Sequence, residues 1–309
     1  MKQYIDLCKQ VLEQGTWKDA ARPGMPRTKS INSVMVKYDL ADGFPLLTTK
    51  KMYTKGIFTE LLWLLHGETN IHYLLKHNCH VWDGDGYKYY CKYHLEDCLP
   101  KENWLELCTK SKVPEGDMGH IYGYQWRKLP ARDQVLYLIE NIRNNPNSRY
   151  HILESWNVED VVTCNAALPP CHKQMQFFVR GEYLDMMFFV RSNDLPLGNP
   201  WNVPCYATIL LLFSHILGYK PGILTYIGGD VHIYENQIEM IEEQIKREPR
   251  PLPVLEMHVP EPNQFWYMGN DEKWHFRLDA FLSHIEPTDF EVKNYDPWPS
   301  IKIPLSVGL

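Results

Sequence analysis

The chain has 309 residues, 44% hydrophobic and 23% charged, with 32 Lys and Arg against 38 Asp and Glu. This composition excludes a disordered chain, a collagen-like fibre and a small disulfide scaffold, and a chain of this length can bury a sizeable core without staples. The formal net charge of −6 gives no bulk attraction to nucleic acid or anionic lipid, although a local basic pocket stays open.

Taken in chain order, Ile5, Leu7, Cys8, Val11 and Leu12 recur near helical spacing over residues 2–13. A loop rich in Pro and basic residues follows over 17–30. Val34, Val36 and Tyr38 alternate with Met35 and Lys37, the period of a strand. Residues 56–66 are dense in Leu, Ile, Phe and Trp and predict a buried helix whose one acid is Glu60. Residues 83–117 are polar, tyrosine-rich and irregular, which suits an insertion or surface subdomain. Residues 133–143 predict a helix. The stretches 173–180 and 183–191 flank Gly181-Glu182, a two-residue hairpin turn, and their apolar residues at both parities predict two buried faces. An apolar helix is expected over 203–217 with Pro204 in its first turn, and another over 234–246, stopped by the proline-rich stretch 247–253. No internal repeat, low-complexity tract or linker separates these elements, so one domain over 1–309 is expected, with the insertion at about 84–117.

Cysteines stand at 8, 79, 91, 98, 108, 164, 171 and 205. The first residues are charged and amphipathic, and no apolar run reaches the ~18 residues of a membrane span. The expectation is a cytoplasmic protein with reduced thiols. Cys91, His94 and Cys98, with Cys79, His80 and Cys108 nearby, match no structural zinc spacing, so no metal is expected.

Several places could carry chemistry. Cys171 lies in Leu168-Pro-Pro-Cys-His172, where two prolines fix the backbone; it is a nucleophile if cations lower its pKa, or else a buried structural cysteine. Arg191-Ser192-Asn193-Asp194 ends a strand with donors suited to a phosphate, and Arg149 could add another; ordinary ion pairing is the alternative. Asn202 brings an amide to the start of an apolar helix, a costly place unless it binds a ligand or caps the helix. The run 228–234 suggests a turn entering a helix, with His232 and Tyr234 able to reach one hydroxyl.

Together these pieces resemble the thymidylate synthase family. Arg149-x2-Ile152-x3-Trp156-Asn157, ten residues, then Leu168-x-Pro170-Cys171-His172 is similar to its active-site signature. Further blocks resemble the family in the right order: 42–50, 60–70, 121–127, Arg191-Ser-x-Asp194, Gly229-Asp-x-His-x-Tyr234 and 247–253. Only 84–117 falls outside.

The resemblance implies an α/β (α+β) fold with a large mixed sheet flanked by helices, packed back to back in a homodimer, and no nucleic-acid or membrane partner. It implies one-carbon transfer from 5,10-methylenetetrahydrofolate to C5 of dUMP. Residue by residue, Cys171 would add as thiolate to C6. Arg22, Arg191 and Ser192 would hold the 5′-phosphate, with Arg149 reaching across from the partner subunit. His232 and Tyr234 would bind the 3′-hydroxyl. Asn202 would read the base edge, its amide matching the O4 and N3–H of uracil, where relatives acting on cytosine carry Asp. Asp194, Leu197 and Gly198 would hold the pterin, Trp82 would pack against the folate and Lys50 would meet its glutamate tail. Glu60 would organise proton transfers and Tyr122 would assist removal of the C5 proton.

The departures from the family pattern are specific. Its N-terminal phosphate loop is here Arg22-Pro-Gly-Met-Pro-Arg27, leaving Arg22 or Arg27 for the role. Its paired arginines are Arg149-Tyr150, Val190 replaces a Gln, and Trp201 replaces a Phe. A second tryptophan after Trp82 is replaced by Gly84-Asp85-Gly86, and the tail ends Ser306-Val-Gly-Leu309. Tryptophans and tail form the family's lid, so these changes point to water capture of the C5 methylene, giving 5-hydroxymethyl-dUMP and tetrahydrofolate. Hydride capture, giving dTMP and dihydrofolate, is the alternative. A non-catalytic nucleotide binder and a Cys–His hydrolase are the remaining readings, and neither needs Glu60, Tyr122 and Asn202 together.

Overall fold

The computed structural model describes residues 1–20 and 24–305. In chain order its elements are α1 (Lys2–Gln14), β1 (Thr16–Lys18), β2 (Thr28–Asp39), α2 (Thr54–Leu65), α3 (His72–Lys76), α4 (Asp83–Tyr93), α5 (Lys101–Lys110), α6 (Tyr122–Arg127), α7 (Gln134–Asn144), β3 (Ile152–Glu154), α8 (Val158–Val162), β4 (His172–Arg180), β5 (Tyr183–Asp194), α9 (Gly198–Leu217), β6 (Lys220–Tyr234), α10 (Ile238–Gln244), β7 (Val254–Met257), β8 (Trp266–Met268), β9 (Trp274–Phe276), α11 (Leu278–Leu282) and β10 (Phe290–Lys293). The chain divides into two compact units, each made of separated stretches: 1–53, 175–257 and 291–309 in the first, 54–174 and 258–290 in the second. Because each unit is discontinuous in sequence, no linker composition marks the division.

The first unit is built on a mixed sheet of order β1-β2-β6-β5-β4. β2 and β6 are antiparallel, whereas β5 and β6 run parallel. Parallel neighbours need a crossover, and α9 supplies it. α9 is long and apolar enough to cross a membrane by composition, but most of it is buried. Phe188 stacks on Tyr206 at 4.2 Å and Phe177 on Phe213 at 5.4 Å, joining sheet to helix. Gly218, at φ 76°, ends α9 in the left-handed conformation that suits glycine. α1 buries Tyr4, Ile5, Leu7, Cys8 and Val11, the stripe its sequence period requires.

Two expectations about this sheet are corrected. The strands are not buried on both faces: along β5, Leu184, Met186, Phe188 and Val190 are buried, while Tyr183, Asp185, Met187 and Phe189 are half-buried. Elsewhere in the sheet Met35, on β2, is 64% exposed and Phe178, on β4, is 43% exposed. Nor is 228–234 a turn entering a helix; it is the last part of the 15-residue strand β6, and the helix begins only at Ile238. The glycines that mimic a turn serve close packing instead. A Cβ on Gly229 would stand 2.8 Å from the carbonyl oxygen of Arg191, and one on Gly228 2.4 Å from the Tyr226 hydroxyl.

Helix α9 starts at Gly198, five residues before the expected boundary, with Pro204 inside it. Leu197 is the N-cap, so Asn202 is not a cap residue.

The second unit surrounds α2, nine of whose twelve residues are buried. Trp63, Trp104 and Trp126 are fully buried in it, and Phe58 stacks on Phe290 at 5.1 Å. The stretch expected to be irregular holds the two helices α4 and α5. Their close approach explains the fold: Trp104 lies against Gly86, where a Cβ would be 3.1 Å away, and its indole N–H donates to the Glu115 carbonyl at 2.9 Å. The expectation of eight reduced thiols is also corrected. The last turn of α4 and the loop after it bring Cys91 and Cys98 to a Cα separation of 5.2 Å, and the two form a disulfide.

Candidate active site

In the second unit the chemistry gathers where the proline-rich turn meets β4. Cys171 is half-buried, immediately before the strand. Its backbone N–H donates to the Tyr122 hydroxyl at 2.8 Å, and the N–H of His172 reaches the same oxygen at 3.4 Å. Tyr122, at the start of α6, is buried and packs against His172 at 5.1 Å and edge-on to Trp82 at 6.2 Å. Burial, then the neighbouring Cys171, raises its pKa, so the phenol keeps its proton at neutral pH. The Trp82 indole N–H donates to Glu60 Oε1 at 2.5 Å. This links a carboxylate on α2 to the aromatic cluster around the cysteine turn.

The other cysteines give a contrast. Cys8, Cys79 and Cys108 are fully buried, and burial pushes their thiols up to about 12, 12 and 11. A thiol in that state is inert. Cys171 is more accessible than these three.

In the first unit, the parallel register of β5 and β6 pairs Ser192 with Asp230 and Asp194 with His232. It thus brings the Arg191-Ser192 pair beside the His232 strand. His232 is 7% exposed, and its Nδ1 lies 3.0 Å from Asp230 Oδ1. The Lys18 ammonium donates to Asp230 Oδ2 at 2.6 Å. The bond to His232 first, against partial burial, and then the bond from Lys18 hold the Asp230 carboxyl at about 2. The ionised carboxylate therefore fixes the orientation of the imidazole.

Asp194 ends β5 with one oxygen accepting from the Leu197 N–H at 3.1 Å and the other from the Gln237 amide at 3.3 Å. Burial raises its pKa against those bonds. Asn202 is 6% exposed. Its side-chain amide makes no hydrogen bond among the described residues. A ligand edge that both donates and accepts would pair with that amide.

The sequence matches the family described as thymidylate synthase over residues 2–307. It is 38% identical over 290 residues to the thymidylate synthase of Phytoplasma mali (strain AT), covering 92% of this chain and 97% of the relative. The chain belongs to the thymidylate synthase family. Enzymes of this family transfer one carbon to dUMP from methylenetetrahydrofolate, and the mixed sheet flanked by helices is consistent with their fold.

The two units distribute the expected thymidylate synthase residues. Glu60, Trp82, Tyr122 and Cys171 share the cluster in the second unit, where Arg149 is exposed beside Tyr150 in the loop after α7. Arg191, Ser192, Asp194, Leu197, Gly198, Asn202, His232 and Tyr234 lie in the first unit, at the ends of β5 and β6 and the start of α9. Arg22 lies outside the described residues. Its alternative, Arg27, is already engaged, since its guanidinium bonds both carboxylate oxygens of Glu235 at 2.5 and 3.3 Å.

Lys50 is the cation expected to meet a glutamate tail. It is 5% exposed and donates to the Pro196 carbonyl at 2.6 Å. Burial pushes its pKa down to about 8. It therefore supports the turn after Asp194.

Sequence reasoning missed Gln237. Fully buried, it donates to Asp194 and to the Pro304 carbonyl at 3.1 Å and accepts from the Tyr234 N–H at 3.1 Å. A polar residue in an otherwise ordinary helix start carries no sequence signal for such a bridge.

Proposed function

We propose that this chain makes dTMP from dUMP and 5,10-methylenetetrahydrofolate through a covalent adduct on Cys171. The observation that carries the covalent adduct is the Cys171 turn, a half-buried cysteine whose own N–H is fixed by a buried, protonated tyrosine; the choice of dTMP as product rests on the 38% identical relative named thymidylate synthase. In this reading the Cys171 thiolate adds to C6 of the base and makes C5 a carbon nucleophile, which a pyrimidine otherwise is not. Arg191 and Ser192 hold the 5′-phosphate, with Arg149 supplied by the partner subunit of a homodimer and Arg22 from the N-terminal loop. His232, oriented by Asp230, and Tyr234 bind the 3′-hydroxyl. Asn202 pairs with the O4 and N3–H edge of uracil. Glu60 passes protons, and Tyr122 assists departure of the C5 proton and steadies the cysteine. Trp82 packs against the folate, and Asp194, Leu197 and Gly198 hold its pterin, with Lys50 and Gln237 bracing that turn. The folate supplies the one-carbon unit and its reducing hydride.

The half-buried, apolar face of the sheet supports the homodimer, since Met35, Phe178, Met187 and Phe189 all lie on it or at its margin. Large apolar side chains grouped on one face of a folded unit mark an association surface.

One observation favours a second reading, in which water captures the C5 methylene and 5-hydroxymethyl-dUMP forms. In the stretch Gly84-Asp85-Gly86, which stands in place of the family's second tryptophan, a Cβ on Gly84 would meet nothing within 4 Å, whereas one on Gly86 would stand 3.1 Å from Trp104. That leaves space for water where the family excludes it.

The shared chemistry of both readings is tested by release of tritium from dUMP labelled at C5, in the presence of methylenetetrahydrofolate. Release that depends on the folate and is lost in Cys171→Ala is expected. Absence of release from the unaltered protein would contradict both.

A further inference from the structure

The segment that delivers Cys171 is strapped to the segment that delivers Tyr122. Gly119 pairs with Ala166 in an antiparallel bridge. The His120 N–H donates to the Asn165 carbonyl at 2.8 Å, and the Ala167 N–H to the Met118 carbonyl at 2.9 Å. Only glycine fits the centre of this strap. Gly119 has φ +71°, and a Cβ there would stand 2.4 Å from the Asn165 carbonyl oxygen. Cys164 adopts the left-handed region at φ 54°. That conformation is unfavourable for a non-glycine residue, so the contacts around it must hold it in place.

A polar cluster closes over the strap. Asp160 is 8% exposed on α8, and its Oδ1 lies 2.6 Å from His120 Nδ1 and 3.2 Å from the Asn165 amide. The Asn165 amide nitrogen also lies 2.9 Å from His120 Nδ1, a contact between two donors once Nδ1 carries the ring proton and therefore not a hydrogen bond. The second carboxylate oxygen accepts from the Gln125 amide at 2.6 Å, and Gln125 also donates to the His120 carbonyl at 3.0 Å. Burial works against the carboxylate, yet the bonds from Gln125, His120 and Asn165 hold its pKa below the usual carboxylate range. An ionised carboxylate only accepts, so Nδ1 carries the ring proton. The imidazole lies flat on Tyr124 with ring centroids 3.6 Å apart. A cavity of about 330 Å³ opens beside the cluster, lined by Tyr89, Val161, Pro169 and Pro170 among others. His120, Gln125 and Asp160 line this cavity together with the two prolines, so the polar cluster and the cysteine turn share one wall.

We propose that His120 and Asp160 are positioning residues, whose contact locks the 164–170 segment so that the Cys171 backbone stays on the Tyr122 hydroxyl. The proposal rests on the reading of Cys171 as the nucleophile. His120 touches no substrate; two residues along the chain it fixes the start of α6, and through Asn165 it fixes the run into the proline turn.

Three variants test it. His120→Phe keeps a ring on Tyr124 and removes the donor, His120→Asn keeps a donor near the Nδ1 position and removes the ring, and Asp160→Asn removes the charge without changing shape. Two readouts are taken. The first is kcat and KM for dUMP. The second is amide hydrogen exchange of the peptide holding Cys171 and His172, which needs no substrate.

His120→Phe and Asp160→Asn are expected to lower kcat on the order of 10- to 100-fold, the scale of a small misplacement of reacting groups. KM for dUMP should move less than about twofold, because the substrate-holding side chains are untouched. Exchange at Cys171 and His172 should accelerate, and His120→Asn should restore both readouts. Should His120→Phe fail to fold, Asp160→Asn is judged on the same terms. Unchanged exchange at Cys171 in a folded variant, or an equal loss in His120→Asn, would overturn the proposal. If the unaltered protein turns over no dUMP, the activity reading fails, and the exchange readout alone then judges the lock.

Discussion

Replacing Tyr122 with Phe isolates one oxygen. The ring contacts to His172, Trp82 and Trp126 do not involve the hydroxyl, so Phe fits the same space. What disappears is the acceptor for the Cys171 N–H at 2.8 Å and the weaker one for His172 at 3.4 Å. The longer contact sits near the limit of a real bond, so only the first is counted. Leaving one buried donor without an acceptor costs about 1–3 kcal/mol. In a protein of this size that lowers Tm by only a few degrees, at roughly 2–4 °C per kcal/mol. The kinetic effect should be larger, since loss of a positioned proton-transfer group lowers rates by about 10²–10⁴. KM for dUMP should stay within about twofold, because phosphate, ribose and base are held by other side chains. Steady-state assay of product with calorimetry on the same samples gives both numbers. A kcat within about threefold of the unaltered enzyme, at unchanged Tm, would refute the role assigned to this hydroxyl.

Other expectations follow from individual residues. Asn202→Asp replaces an amide that donates and accepts by an acceptor-only group, so turnover of dUMP should fall by about 10²-fold or more and dCMP should become the better substrate; dUMP kinetics unchanged in this variant would remove Asn202 from base reading. Lys50 titrates at about 8 in the fold against 10.5 unfolded. Between those values the unfolded chain binds more protons, so the penalty of burying the ammonium is complete below about pH 8 and fades towards pH 10.5. Urea unfolding of the unaltered protein and Lys50→Met should therefore show their stability difference shifting in favour of the lysine form between pH 8 and 10, by on the order of 2–3 kcal/mol. A difference flat with pH would show that Lys50 is not buried as a cation.

How far the sequence foretold this structure varied with the range of the interaction that decides each element. Helices α1 and α2 follow from local periodicity, and so do the hairpin strands β4 and β5 around Gly181. Strand β6 was hidden because Gly228, Gly229 and Asp230 carry the composition of a turn. The reason for those glycines, the approach of Arg191 from the neighbouring strand, exists only once the sheet is assembled. Helices α4 and α5 were masked by their polar surfaces, since the burial of Tyr90 and Trp104 that stabilises them is a tertiary effect. The candidate site residues stand in local motifs, because the proposed chemistry demands particular side chains at fixed spacing. Their supports do not. Gln237 and the His120–Asp160 pair join segments 40 or more residues apart, Asp194 with Gln237 at a separation of 43 and His120 with Asp160 at 40. No local pattern encodes either contact.

The measurement that bears most directly on the central claim is identification by mass spectrometry of both products formed from dUMP and methylenetetrahydrofolate. The account predicts dTMP and dihydrofolate in equal amounts, both absent with Cys171→Ala. Formation of 5-hydroxymethyl-dUMP with tetrahydrofolate would contradict it, and would assign the space beside Gly84 to the water that captures the methylene.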